Sequence, residues 1–279
     1  MKSVSLILMI CGLCYAGNLG EADFARAYES HSSTDDIVLT PVASWDLIGA
    51  KTPRGIDCSD TYEQIFITDY SMDMIFVCDY EGNSMGYIEL PDGLDDIGGI
   101  CSGYDFILVN EMDSDTYMFH YQAGSWSNEF MNPSTDPMGM DMDSDGYIWE
   151  LESSSNSLYR IGPGGSVLDQ WVLTEVPSSA SAMACAVLPI NGTKIIMIGG
   201  LTWSDFYFYE WDGVDLIFTG THTLPQSCNK SYGAAWCQQR QTVFWVYKTG
   251  GDFRVCEFQC FITGVPLQRS TWGAIKYIL

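Results

Sequence analysis

The chain has 279 residues, with 36 acidic against 12 basic side chains and a formal net charge of −24. Phosphate backbones are held by Lys and Arg displacing counterions, so a surface of this sign excludes nucleic acid as a partner and disfavours anionic membranes. With 47% apolar residues, 14% aromatic residues and 27 glycines, the composition is that of a packed all-β domain and not of a disordered chain.

In chain order, the first predicted element is a leader. Lys2 supplies a positive charge, residues 4–14 an apolar stretch, and Cys14-Tyr-Ala16 a small-x-small cleavage site. That pattern predicts a signal peptide over residues 1–16, too short for a membrane anchor. Export follows as an expectation: extracellular, periplasmic or at the cell surface. Removal of Lys2 leaves 11 basic against 36 acidic residues, or −25. No later run of about 18 apolar residues exists, so no membrane span is expected. Residues 17–42 read as an extension, with a short helix over 21–28 and a polar linker over 32–36.

A lone strand is predicted over residues 44–49, and after it a motif recurs five times. Its first strands are Gly55-Ile-Asp-Cys58, Gly98-Gly-Ile-Cys101, Gly139-Met-Asp-Met142, Ala182-Met-Ala-Cys185 and Ala234-Ala-Trp-Cys237, at steps of 43, 41, 43 and 52 residues. Each is followed by a β-branched or aromatic run, such as Ile65-Phe-Ile-Thr68 or Val243-Phe-Trp-Val246, and then by a third strand that often closes on Gly. A period of this size predicts a β-propeller with one four-stranded blade per repeat. The expected domain spans 43–270 and has five blades, or six if residues 18–50 supply more than one strand. The N-terminal strand is expected to pair with the last blade and so remove the open edges. Residues 271–279 read as a final strand or a sorting tail.

The pattern of Pro-x-Gly-apolar, Asp-rich turn and two apolar strands, best seen from Pro137 to Trp149, resembles the NHL and gluconolactonase-like propeller repeats over roughly residues 43–270. The resemblance implies architecture. It implies a metal-dependent lactonase or hydrolase only if Glu, Asn and Asp from inner strands meet in the central channel. Asp57 and Asp141 hold equivalent inner-strand positions, whereas Ile100, Ala184 and Trp236 stand there in the other repeats.

Three features carry candidate chemistry. Asp141, Asp143 and Asp145, with Gly146 and Glu152, match the spacing of an EF-hand calcium loop. The same segment reads as the hairpin of the third repeat, where Asp and Gly serve a turn; Glu152 would then lie about 20 Å away at roughly 3.3 Å per residue. Calcium at this turn and a turn without an ion both stand. Trp126, Trp203, Trp211 and Trp245 are candidates for a face that stacks on a sugar or a peptide, or for packing between blades. Cys58, Cys101, Cys185 and Cys237 align with Met142 as one inner-strand position, either a packing ladder or a thiolate ring for a soft metal. Cys228–Cys237 and Cys256–Cys260 are the nearest disulfide pairings, the second only with a turn between its members. His31, His120 and His222 show no metal-ligand spacing, and no catalytic signature is present. Asn191-Gly-Thr and Asn229-Lys-Ser are glycosylation sequons. The reading is a secreted, monomeric, non-enzymatic binding or scaffold propeller for a protein or carbohydrate ligand, with the gluconolactonase-like hydrolase as the alternative.

Overall fold

The computed structural model describes residues 37–112, 115–177, 181–190 and 192–262. The leader, the predicted helix over 21–28, the linker, His31, Asp113, Asn191 and the C-terminal tail lie outside the described residues. Twenty strands and no helix occur among those described. The first strand, β1, is Ile37–Asp46. Blade 1 follows as β2 (Pro53–Ser59), β3 (Gln64–Asp69), β4 (Met74–Asp79) and β5 (Ser84–Glu89). Blade 2 is β6 (Ile97–Ser102), β7 (Phe106–Glu111), β8 (Asp115–His120) and β9 (Ser125–Met131). Blade 3 is β10 (Pro137–Met142), β11 (Ile148–Glu152), β12 (Ser157–Ile161) and β13 (Val167–Val172). Blade 4 is β14 (Ala182–Ile190), β15 (Thr193–Gly200), β16 (Asp205–Trp211) and β17 (Leu216–Thr223). Blade 5 takes β18 (Lys230–Cys237), β19 (Thr242–Thr249) and β20 (Asp252–Ile262).

Each of the first four blades is an antiparallel meander of consecutive strands, and the fifth has the order β1-β20-β19-β18. The architecture is therefore a five-bladed β-propeller closed by an N-terminal strand. The 52-residue step adds no sixth blade. Its extra length goes into β14, β15 and β17, of 9, 8 and 8 residues, against 6, 6 and 7 for β6, β7 and β9. The closing strand begins at Ile37 rather than Ser44, because Ile37-Val-Leu-Thr40 pairs with the end of β20 ahead of a register shift at Pro41/Ala43. At the other end of the pairing Arg254 bonds Asp46 at 2.9 Å.

Burial falls from the axis outward. Inner strands are covered on both faces, so they read as continuous apolar runs, while the outermost β5, β9 and β13 are mostly exposed. Five apolar clusters fill the five interfaces between neighbouring blades. Phe206 of blade 4 packs on Trp245 and Phe258 of blade 5. Two inner-strand glycines let the blades close. A Cβ on Gly139 would stand 2.7 Å from the Cys185 backbone nitrogen, and one on Gly233 would stand 2.7 Å from both Arg54 O and Ile56 N. Inner strands thus touch backbone to backbone, and β2 also contacts β10 and β14 across the axis. The middle of the channel is packed, and a cavity opens at one end of it.

Candidate functional site

At the C-terminal ends of the inner strands the channel widens into a cavity of about 280 Å³. All five blades line it: Asp57 from β2, Ser102 from β6, Asp141 from β10, Val187 from β14 and Trp236 from β18. Lys194, from β15, and Asp143, from the turn after β10, stand on its rim.

Asp57 is 3% and Asp141 5% exposed. The strand pairing sets each opposite an aromatic residue of the second strand, Asp57 against Phe66 and Asp141 against Trp149. Asp141 is held firmly: one oxygen accepts the Val187 N–H of blade 4 at 2.6 Å and the other its neighbour Met142 N–H at 2.7 Å. Burial pushes the Asp57 carboxyl up to about 7, against the opposing pull of Ser102 and the Cys58 amide. Burial also raises Asp141 well above the ordinary carboxylate range, and charge on Asp57 adds to the effect. Two carboxyls sharing one dry cavity resist double ionisation, so the pair is best described as titrating together.

Beside this pair, Burial pushes the Cys58 thiol well up, while a hydrogen bond from Cys58 draws Cys237 down. Asp60 Oδ1 collects the Cys237 thiol at 3.4 Å and the Gln239 N–H at 2.9 Å. Another buried acid, Glu150 on β11, accepts from Asn110 at 3.3 Å and Ser134 at 3.0 Å; burial raises it to about 7 despite those bonds. Asn110 Oδ1 in turn accepts the Gly99 N–H at 2.5 Å, so this chain of bonds joins blades 2 and 3.

The residues of the calcium-loop spacing are divided between two tasks. Asp141 turns to blade 4. Asp143 accepts the N–H groups of Asp145 and Tyr147 on one oxygen, and the Trp149 indole N–H at 3.0 Å and the Lys194 ammonium at 2.7 Å on the other. Lys194 also bonds Asp145 at 2.6 Å. The ammonium stands where a hard cation would, and Asp143 has no free lone pair left for one. This donor set does not fit calcium. Burial works against the charge on Lys194, but the bonds to Asp143 and Asp145 outweigh it and raise its pKa; the same contact lowers Asp145. Among the described residues, no three His, Cys, Asp or Glu side chains form a metal-binding group.

The four tryptophans are not brought together. Trp245 is fully buried between blades 4 and 5 and bonds Ser231 at 2.9 Å. Trp203 and Trp211 are buried between blades 3 and 4, where Trp211 packs on Trp149 and Trp171. Trp126 lies on the outermost strand of blade 2 and donates to Glu89 O at 3.1 Å. They form interface packing rather than a ligand face. The eight cysteines described are free thiols; Cys256 and Cys260 share strand β20, and neither is bridged.

Sequence reasoning noticed Asp57 and Asp141 but missed their partners. Ser102 and Lys194 come from two other strands and share no spacing with the pair, whereas Trp236 stands at the equivalent position of the fifth repeat. The available signal was negative: Asp57 and Asp141 are the two carboxylates on otherwise uncharged or basic inner strands.

No family model matches the chain, and no curated protein matches it. Solved structures do. Glutaminyl cyclase from Myxococcus xanthus superposes with a TM-score of 0.60 at 13% identity, over 81% of this chain and 97% of that one. A chain of the nidogen/laminin complex gives 0.51 at 11%, over 72% and 73%. A structure named as a candidate gluconolactonase gives 0.49 at 12%, over 80% and 95%. At such identities the likeness is one of fold alone. In fold, the chain is similar to the glutaminyl cyclase and to the chain of the nidogen/laminin complex.

Proposed function

We propose that this propeller is an exported binding protein whose channel-mouth cavity takes a small cationic group, an amine such as the amino terminus of a peptide, against the Asp57–Asp141 pair. The observation that carries the reading is a pair of buried carboxyls in one cavity, with Asp57 making no ion pair. A shared proton relieves their repulsion in the empty site, and a bound ammonium does so better because its charge is full. The rim lysine, Lys194, is already neutralised by Asp143 and Asp145 and does not compete. Export rests on the leader pattern.

Binding an amine releases the proton held by the pair. Affinity for a small primary amine therefore rises with pH, toward tenfold per unit, and levels off above about 7, where Asp57 ionises unaided. Calorimetry with methylamine and with a short free-amino peptide, in buffers of different ionisation heat, reads that proton directly. The Asp57→Asn variant should lose both binding and proton release. An amine that does not bind, or binds equally well to Asp57→Asn, overturns the reading.

The position of Asp57 also favours a second reading, acid–base catalysis. A carboxyl titrating near 7 is matched to taking and returning a proton at neutral pH. The fold likeness to glutaminyl cyclase suggests the reaction to try. The α-amine of an N-terminal glutamine attacks its own γ-carboxamide, a carboxylate accepts the proton that the amine loses, and the same group returns it to departing ammonia. Both readings place an amino terminus at one carboxyl pair. Mass spectrometry of a glutaminyl peptide after incubation separates them: loss of ammonia supports catalysis, and an unchanged peptide leaves binding.

A further inference from the structure

The opposite end of the inner strands carries a different charge. Arg54 sits on β2 near the strand's N-terminal end, about 10 Å from Asp57 at roughly 3.3 Å per residue. Packed inner strands separate the two ends. Among the described residues Arg160, Lys194, Arg240 and Arg254 each hold an acidic partner. Arg54 is the one arginine among the described residues that holds none, although Lys51, Lys230 and Lys248 also make no ion pair. Its guanidinium lies 5.0 Å over the Tyr70 ring, and Nη1 makes one weak contact, 4.0 Å to the Met183 sulfur. Its Nε is buried without a hydrogen-bond partner. Met183 and Tyr232, 1% and 4% exposed, belong to the apolar cluster at this joint of blades 5 and 1.

A guanidinium carries five donors in a rigid planar fork, and leaving them unmade in a partly dry setting is costly. The backbone that carries it has little freedom, because Gly233 of the neighbouring blade packs directly on Arg54 O and Ile56 N. Tyr70 fixes one face of the plane, so the fork is pre-organised. We propose that Arg54 is the receptor for a carboxylate-bearing ligand at this end of the channel, gripped in a bidentate pair with Tyr70 and Met183 as its apolar wall. A monoanion fits better than a phosphate dianion. Asp96 is hydrogen-bonded to Tyr70 and Asp95 stands near it, and their repulsion falls harder on two negative charges than on one.

The probe is N-acetylglycine, with sodium chloride at equal ionic strength as the reference and inorganic phosphate as a second arm. Melting of the full chain should shift up by a few degrees with N-acetylglycine in a saturable manner, and less with phosphate. Arg54→Gln should abolish the shift. Arg54→Lys, which keeps the charge but not the fork, should weaken half-saturation by about tenfold. Asp57→Asn should keep the shift in full, which separates failure of this site from failure of the amine site. No shift in the wild type, an equal shift in Arg54→Gln, or a larger shift with phosphate overturns the proposal. If Arg54→Gln does not fold, protection of Arg54 from phenylglyoxal by N-acetylglycine decides instead: protection supports the site, and unchanged modification rejects it.

Discussion

Asp143 and Asp141 are two residues apart and both buried, yet they are in opposite electrostatic conditions. Asp143 receives four N–H donors, one from an ammonium, and behaves as a structural anion. Asp141 and its companion Asp57 receive no cation and are driven toward the neutral form. Burial is common to both, so burial does not mark a site. What marks it is an acid whose charge the protein has left uncompensated beside a cavity.

The largest effect should come from breaking the compensated side. Asp143→Ala strands the Trp149 indole and two turn amides at once and leaves Lys194 with Asp145 alone, and should cost about 3 kcal/mol in chemical denaturation. A loss below about 1 kcal/mol would show that the turn amides and Lys194 find water readily, and the contrast would weaken.

The uncompensated side should answer to pH. Asp57 and Glu150 each titrate near 7 in the folded chain and near 4 when unfolded. Between those values the native state holds more protons than the unfolded state, so stability is greatest at the acid end and falls as pH rises through 7. The decline should be on the order of 7 kcal/mol at most from pH 4 to pH 8, read from urea midpoints at fixed ionic strength. Stability that rises over that range would mean that these carboxyls are ionised in the folded protein.

Asp57→Asn should act with the opposite sign to Asp143→Ala. It removes a group that must be charged in a dry cavity, so at pH 8 it should stabilise by about 1 kcal/mol, and at pH 4 it should change little. Equal effects at both pH values would assign the change to packing. The smallest effect is expected at Asp145→Asn. That side chain is 61% exposed and shares Lys194 with Asp143, so melting should move by less than a degree.

The blade count was legible because the repeat carries its own register. A Gly or Ala opens the repeated motif within each inner strand, and an apolar run follows after a turn. The closing strand was legible in kind but not in extent. Ile37-Val-Leu-Thr40 precedes a Pro and follows a polar stretch, and its partner lies at the far end of the sequence, where no local pattern points to it. The aromatic residues left two readings open for a related reason. Trp203 and Trp245 look like ligand-stacking residues in one dimension, but the wide faces between wedge-shaped blades take such side chains first. At the Asp141–Asp145 spacing, strand geometry sends Asp141 to a neighbouring blade, and Lys194, distant in sequence, captures the other two. Arg54 drew no notice, since a single arginine carries no motif; it is distinguished in the folded chain as the one described arginine without an acidic partner, with a buried, unbonded Nε.

The composite fifth blade also sets an order of events in time. Residues 37–46 are among the first of the propeller to be made, and residues 252–262, which they must meet, are the last. Until β20 is complete, a nascent chain has an unpaired strand at its start and no closed ring, whatever blades 1 to 4 have achieved. Bringing the ends together costs about 5 kcal/mol of chain entropy for a loop of this length. Ring closure is therefore a late and slow step that follows synthesis.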